Sequence, residues 1–96
     1  MSMLGKGYQV FAASGILDLS GADIAVYGVN MVCDGTAGVL KIHDTSLIGG
    51  VTVISLTGTV SKGIYVDFGA GIVLNAGAYI EMDAHVTAAT VVYERL

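Results

Sequence analysis

The residue types that could bind a metal ion or transfer a proton are few in this sequence and stand in two short groups. His43 is followed by Asp44, and His85 lies close to Glu81 and Asp83. Protein zinc sites usually combine His and Cys at short, regular spacings, and neither histidine has a partner at such a spacing. We therefore predict no metal site and no cofactor, and we interpret these side chains as solvated loop residues.

Nucleophilic catalysis also lacks its usual pattern. Ser46 follows Asp44 closely, but no G-x-S-x-G turn presents a serine, and the sequence has no Trp to line a sugar cleft. Cys33 stands in an apolar run without a basic neighbour, which is typical of a small buried side chain rather than a reactive thiolate. The sequence predicts no catalytic residue, and we expect a protein that is not an enzyme.

Charge is scarce on this chain. Charged residues make up 12% and hydrophobic residues 54% of the 96 positions, and the net charge is −4. The longest uncharged stretch, residues 45–61, is rich in Ser, Thr and Gly, which argues against a membrane helix. So few charges cannot cover a free monomer, and we expect protein partners to cover part of its surface. No basic cluster favours a nucleic-acid partner, because the basic residues are far apart: Lys6, Lys41, Lys62 and Arg95.

Glycines separate short runs of β-forming residues. The sequence has 14 glycines and no proline, and no stretch keeps the apolar spacing of a long helix. This rhythm predicts an all-β fold, an antiparallel β-sandwich or jelly roll of about eight short strands. A short extended piece and a turn over Asp18–Gly21 follow the first strand. The predicted strands are Tyr8–Ala13, Ile24–Cys33, Val39–His43, Val51–Thr57, Gly63–Phe68, Ile72–Leu74, Ala78–Met82 and Thr90–Glu94.

The predicted strand Ile24–Cys33 carries apolar residues on both sides, whereas Gly63–Phe68 alternates clearly. In Gly63–Phe68, alternation places Tyr65 and Asp67 outside, with Ile64, Val66 and Phe68 inside. A small sandwich covers only one face of each sheet, so we expect an oligomer, with Tyr27 and Tyr65 as interface candidates. Strict alternation in Ile24–Cys33 divides its residues between two faces of the strand. One face has Ile24, Val26, Gly28, Asn30 and Val32, and the other has Ala25, Tyr27, Val29, Met31 and Cys33.

The chain has room for one domain. We assign residues 8–96 to a single β-sandwich domain and residues 1–7 to a short N-terminal arm. Met1, Met3 and Leu4 in this arm are interface candidates, because apolar groups at a free terminus stay ordered only in a pocket that a partner chain can supply. The arm lacks the apolar core of a signal peptide, which predicts use in a cytoplasm or in a particle assembled there.

Several segments carry a resemblance when they are taken in order. They are a strand over residues 25–30, a loop over 34–38, a strand ending in His43-Asp44, a glycine-rich segment over 68–77 and a final strand over 89–94. Together they resemble the small single-domain virion proteins of tailed bacteriophages, over residues 14–96. The resemblance implies a capsid cement or decoration protein, commonly a homotrimer, that binds the larger major shell protein in a virion assembled in the host cytoplasm.

Two other functions stay open at this point. One is a small head or tail appendage component, such as a fibre or adaptor subunit bound to a larger tail protein. The other is a carbohydrate-binding β module, although such modules usually present aromatic, Asp and Asn side chains on long loops. The loops predicted here are short and rich in Gly, Ala, Ser and Thr.

Overall fold

The computed structural model describes residues 7–17, 22–44, 51–58, 64–75 and 77–96, which form two four-stranded antiparallel sheets. Sheet A has the strand order β1-β8-β3-β6, and sheet B has the order β2-β7-β4-β5. The predicted all-β sandwich is therefore confirmed. The strands are β1 (Gly7–Phe11), β2 (Gly15–Leu17), β3 (Ile24–Cys33), β4 (Gly38–Asp44), β5 (Val51–Gly58), β6 (Ile64–Leu74), β7 (Ala78–Met82) and β8 (Val86–Arg95).

The strand pairs are nested in sequence. The first strand pairs with the last, β2 with β7, β3 with β6, and β4 with β5. Consecutive strands lie in opposite sheets except for β4 and β5, which are neighbours in sheet B. A long antiparallel hairpin rolled around one core has this order, so the connectivity is that of a jelly roll.

The core lies between the inner faces of the two sheets. Sheet A contributes aliphatic side chains mainly from β3 and β8, and sheet B contributes them from β4 and β7. Burial of this continuous apolar layer is the main favourable term in folding. The fully buried large side chains are Leu17, Ile24, Val26, Val29, Met31, Cys33, Leu40, Ile42, Leu74, Ile80 and Val91.

Strand β3 does not alternate strictly. Its register against both β6 and β8 shifts between Val26 and Gly28. A bulge adds one residue to the strand and so reverses the side on which the following residues point. Ile24 and Val26 before the bulge therefore share the core with Val29 and Met31 after it. The sequence prediction that put Val26 and Val29 on opposite faces was wrong for this reason.

Strand β6 joins two predicted strands into one. Asp67 pairs with Gly28 and Ile72 pairs with Val26, which leaves residues 68–71 bulged from the ladder. Two glycines make the bulge possible, because Gly69 (φ 65°) and Gly71 (φ 102°) lie in a region that other residues rarely adopt. The Gly69 amide donates to Asp67 Oδ1 at 2.9 Å. The break between the predicted strands Gly63–Phe68 and Ile72–Leu74 is therefore a bulge within one strand.

Some sequence predictions fall outside the described residues. They are the N-terminal arm with Met1, Met3 and Leu4, the turn over Asp18–Gly21, Ser46, and the side chain of Ile64. The division into an arm and a sandwich domain thus stays a prediction. Across the described ranges, no helix has the length and apolar character needed to cross a membrane.

Candidate functional site

The histidines and acids singled out in the sequence do not meet at one site. His43 lies against Glu81, with 2.7 Å between Nε2 and Oε1, whereas His85 lies against Asp34, with 3.0 Å between Nδ1 and Oδ2. Asp44 Oδ1 accepts a hydrogen bond from the Asn75 amide instead. Within the described residues no group of three or more His, Cys, Asp or Glu side chains could hold a metal ion. The geometry gives no metal centre here.

His43 is buried, with 5% of its surface exposed, so the interpretation of a solvated loop residue was wrong. It stands on the outer face of sheet B within β4, opposite Thr52 of β5 and Tyr79 of β7. Its Nδ1 lies 3.2 Å from Thr52 Oγ1, and its ring centroid lies 6.2 Å from that of Tyr79. Both ring nitrogens thus have partners from neighbouring strands, which is the condition for burying an imidazole. This His43 cluster, formed with Thr52, Tyr79 and Glu81, connects β4 to both neighbouring strands, β5 and β7.

A groove of about 250 Å³ lies beside this cluster and is lined by Val39, Lys41, Glu81 and Asp83. Carbohydrate sites commonly stack sugar rings on aromatic side chains, and none of the described residues that line this groove is aromatic. Lys41 faces Glu81 directly across β4 and β7, so the opposite charges lie side by side. The groove therefore gives little support to the carbohydrate-binding hypothesis.

One end of the sandwich is organised by two aspartates. Asp83 accepts hydrogen bonds from the amides of His85 and Val39, each at 2.9 Å, and Asp34 accepts from the Thr36 amide at 2.9 Å. The contact with His85 holds the pKa of Asp34 below its ordinary range, and amide donors do the same for the pKa of Asp83. Asp34 in turn raises the pKa of His85. These contacts connect the β3–β4 loop to the β7–β8 turn.

The outer face of sheet A carries large apolar side chains that the core does not bury. Tyr8 and Val10 on β1 and Tyr65 and Val73 on β6 project from it, each between 53% and 72% exposed. One row of the pairing register crosses the sheet from Val10 to Tyr65, with the polar Thr90 and Asn30 between them. The exposed apolar side chains therefore lie along both edges of this face. Groups of exposed apolar side chains mark interaction sites on soluble proteins. We define the exposed side chains of Tyr8, Val10, Tyr65 and Val73 as the apolar face.

Both interface candidates of the sandwich domain lie on this side of sheet A. Tyr65 is exposed and its ring covers Gly28, where an added Cβ atom would collide with the phenol. Tyr27 is half-buried above Gly71 and donates a hydrogen bond to Glu94 Oε1 at 2.7 Å. This hydrogen bond raises the pKa of Tyr27 and so keeps the hydroxyl protonated. Tyr65 is available to a partner, whereas the hydroxyl of Tyr27 is already engaged within the chain.

Sequence reasoning missed three members of the apolar face. Tyr8, Val10 and Val73 were treated as ordinary strand residues. The signal was present in Tyr8-Gln9-Val10-Phe11, where both sides of the strand carry an apolar side chain. Only Phe11 of these reaches the core, so Tyr8 and Val10 are left outside.

Comparison with known proteins gives a fold likeness and no family. No protein-family model matches the chain, and no curated protein matches it. A similar solved structure is described as "Bacillus endospore appendages form a novel family of disulfide-linked pili". The TM-score is 0.55 at 16% sequence identity, over 96% of this chain and 86% of the other. At this identity the likeness shows a shared fold alone.

Proposed function

We propose that this chain is a non-enzymatic structural subunit that associates with further copies of itself and with a larger protein assembly. The observation that carries the proposal is the apolar face of sheet A, whose four side chains are all more than half exposed. Burial of such side chains against a partner is favourable by about 25 cal/mol per Å² of apolar surface. Only 12% of the residues are charged, so few charged side chains are present to repel another molecule from this face.

Within this class, the first candidate is a virion protein of the cement or decoration type. Its support is the resemblance of residues 14–96 to small virion proteins of tailed bacteriophages, together with a jelly-roll connectivity that suits such a role. A subunit of this kind would form a homotrimer and bind the major shell protein, in a virion assembled in the host cytoplasm.

The second candidate is an appendage component, such as a fibre subunit. The fold likeness to a chain described under Bacillus endospore appendages favours it. A disulfide between subunits, as named in that description, would need an accessible cysteine. Cys33 of this chain is only 2% exposed and is not in a disulfide. An appendage built from this chain would therefore depend on non-covalent contacts such as the apolar face.

The test is the mass of the purified chain in solution and its dependence on the apolar face. We expect an oligomer at micromolar concentration by sedimentation velocity and light scattering. Replacing Val10 and Val73 together by Ser should lower the association constant roughly thirtyfold, since about 2 kcal/mol of apolar burial is lost per contact between two subunits. Leu96→Ser is the matched control, because Leu96 is also exposed but lies at the end of β8.

Two results would contradict the proposal. A wild-type chain that stays monomeric at micromolar concentration has no use for the apolar face in self-association. An oligomer that the double variant leaves intact must assemble through some other surface. Circular dichroism of each variant shows whether the sandwich is retained.

A further inference from the structure

Three members of the His43 cluster lie in a line, a hydroxyl, an imidazole and a carboxylate. Thr52 Oγ1 lies 3.2 Å from His43 Nδ1, and His43 Nε2 lies 2.7 Å from Glu81 Oε1. Proteins activate a weak nucleophile by placing it beside a base whose other side is held by a third group. The geometry of Thr52, His43 and Glu81 is of this kind.

The carboxylate determines where the hydrogens of this line lie. A carboxylate only accepts hydrogen bonds, so the short contact with Glu81 requires the ring hydrogen on Nε2. A neutral imidazole carries one such hydrogen, which leaves Nδ1 as an acceptor. The Thr52 hydroxyl therefore donates to Nδ1, and a general base removes a proton in this direction.

Strand β5 presents Thr52 through an irregularity in its register. Ile42 pairs with Ile54, and the next pair is His43 with Thr52, so Val53 is an extra residue. Ile54 belongs to the core, and strict alternation would turn Thr52 to the same side. The bulge instead brings Thr52 to the outer face of sheet B, beside the ring of His43. Thr52 is exposed there and accessible to a reagent, whereas the base behind it is only 5% exposed.

We propose that Thr52 is a site of covalent acylation, which takes the acyl group of an activated carboxylic ester. Thr52 Oγ1 attacks the ester carbonyl, with His43 as the general base and Glu81 as a positioning residue. The bond between Oγ1 and the acyl carbon forms, and the bond from that carbon to the leaving alkoxide breaks. The hydroxyl proton passes to His43 Nδ1 and then to the alkoxide.

This inference goes beyond the proposed function and does not depend on it. It requires one acylation per chain and no turnover, so it suits a structural subunit that carries an attached group. The apolar face belongs to sheet A, whereas Thr52 lies on the outer face of sheet B. An ester on Thr52 would therefore leave the apolar face free.

Acetylation by p-nitrophenyl acetate tests the site in the full chain at about pH 8, where an imidazole is ordinarily neutral. Thr57 is the internal control, because it is exposed on the same strand but pairs with Val39. Mass spectrometry of peptides measures acetylation at both threonines. Hydroxylamine removes esters and leaves amides, which separates these sites from acetylated lysines. We expect Thr52 to react at least about tenfold faster than Thr57, since a positioned general base commonly contributes about 10²–10⁴-fold.

Variants then separate the roles of the three groups. Thr52→Val keeps the shape of the side chain and should lose the ester, whereas Thr52→Ser should retain it. His43→Gln should slow acetylation of Thr52 at least about tenfold and leave that of Thr57 unchanged. Nitrogen NMR of the imidazole should place the hydrogen on Nε2 in wild type, and Glu81→Gln should move part of it to Nδ1 and slow acetylation of Thr52. Circular dichroism shows whether each variant keeps the sandwich.

Three results would overturn the inference. Equal acetylation of Thr52 and Thr57 in the wild-type chain refutes it, whether or not any variant folds. A folded His43→Gln chain that acetylates Thr52 at the wild-type rate shows that this hydroxyl only satisfies a buried ring. A wild-type ring hydrogen on Nδ1 would reverse the contact with Thr52 and remove the base. None of these measurements requires an oligomer, so their failure leaves the proposed function standing, and a monomeric chain that acetylates Thr52 would refute the proposed function alone.

Discussion

Phe68 and Tyr65 provide a matched pair of aromatic residues on one strand, and replacing each by Ala should have opposite consequences. Phe68 packs against the core, whereas Tyr65 stands on the outer face of sheet A. Truncating a fully buried Phe costs about 3–5 kcal/mol, and the partial burial of Phe68 reduces this to about 2–3 kcal/mol. A domain of this size has roughly 5–15 kcal/mol of stability, so the loss is a large share of it.

These energies translate into measurable shifts. Each kcal/mol lowers the melting temperature of a domain this small by about 4–8 °C, so Phe68→Ala should melt about 10–20 °C lower. Tyr65→Ala removes a ring that is 53% exposed, and its cost in the isolated subunit should stay below about 1 kcal/mol. In the oligomer a Tyr anchor is commonly worth about 2 kcal/mol, or roughly thirtyfold in association.

The assay combines two measurements. Thermal unfolding is measured at a protein concentration too low for the chains to associate, and sedimentation equilibrium is measured at a higher concentration. Dilution matters because self-association itself raises the apparent melting temperature. Phe68→Leu serves as the control that keeps most of the apolar volume and should lose less stability than Phe68→Ala. If both Ala variants lowered the melting temperature of the dilute chain equally, the assigned faces of β6 would be wrong.

Two further predictions concern pH and the N-terminal arm. The pKa values of Asp34 and Asp83 are lowered, so their contribution to folding stability is present above the ordinary value of 3.8 and is lost as pH falls through the folded values. The pKa of His85 is raised, so its contribution is present below the ordinary value of 6.5 and is lost as pH rises through the folded value. Melting temperature should therefore peak between these limits, and Asp34→Asn should flatten its decline above pH 6.5; a wild-type maximum on the alkaline side would contradict this. Deleting residues 1–5 should leave the melting temperature of the dilute chain unchanged and weaken partner binding, and the opposite pattern would place the arm in the chain's own sandwich.

The positions of the strands followed from local chemistry. The sequence boundaries of β3 and β7 match the observed Ile24–Cys33 and Ala78–Met82. Both strands are runs of β-forming residues between turn residues such as Asp34-Gly35 and Asn75-Ala76-Gly77. Turn chemistry depends on neighbours in the chain, and the sequence contains that information. The scarcity of charge predicted a surface partly covered by protein partners, and this stays a prediction.

Side-chain direction was harder to predict because it depends on distant strands. The bulge in β3 depends on the register of that strand against β6 and β8, and Gly28 beside it was the one local signal in the sequence. The burial of His43 depends on Glu81, which lies 38 residues later in the sequence. Alternation counted along one strand cannot include such partners. The apolar face was missed because its residues lie on β1 and β6, two edge strands that share a face only through β8 and β3.

The glycines of β3 and β6 have a role in the apolar face beyond forming turns. Tyr65 lies over Gly28, and Tyr27 lies over Gly71 so closely that an added Cβ atom would meet its ring at 2.8 Å. Because glycine has no side chain, an aromatic ring from the neighbouring strand can lie flat on the backbone. Tyr65 is thereby supported from below by the backbone at Gly28 while 53% of its surface stays exposed to a partner. Part of the high glycine content therefore shapes the surface on which we propose that copies of this chain meet.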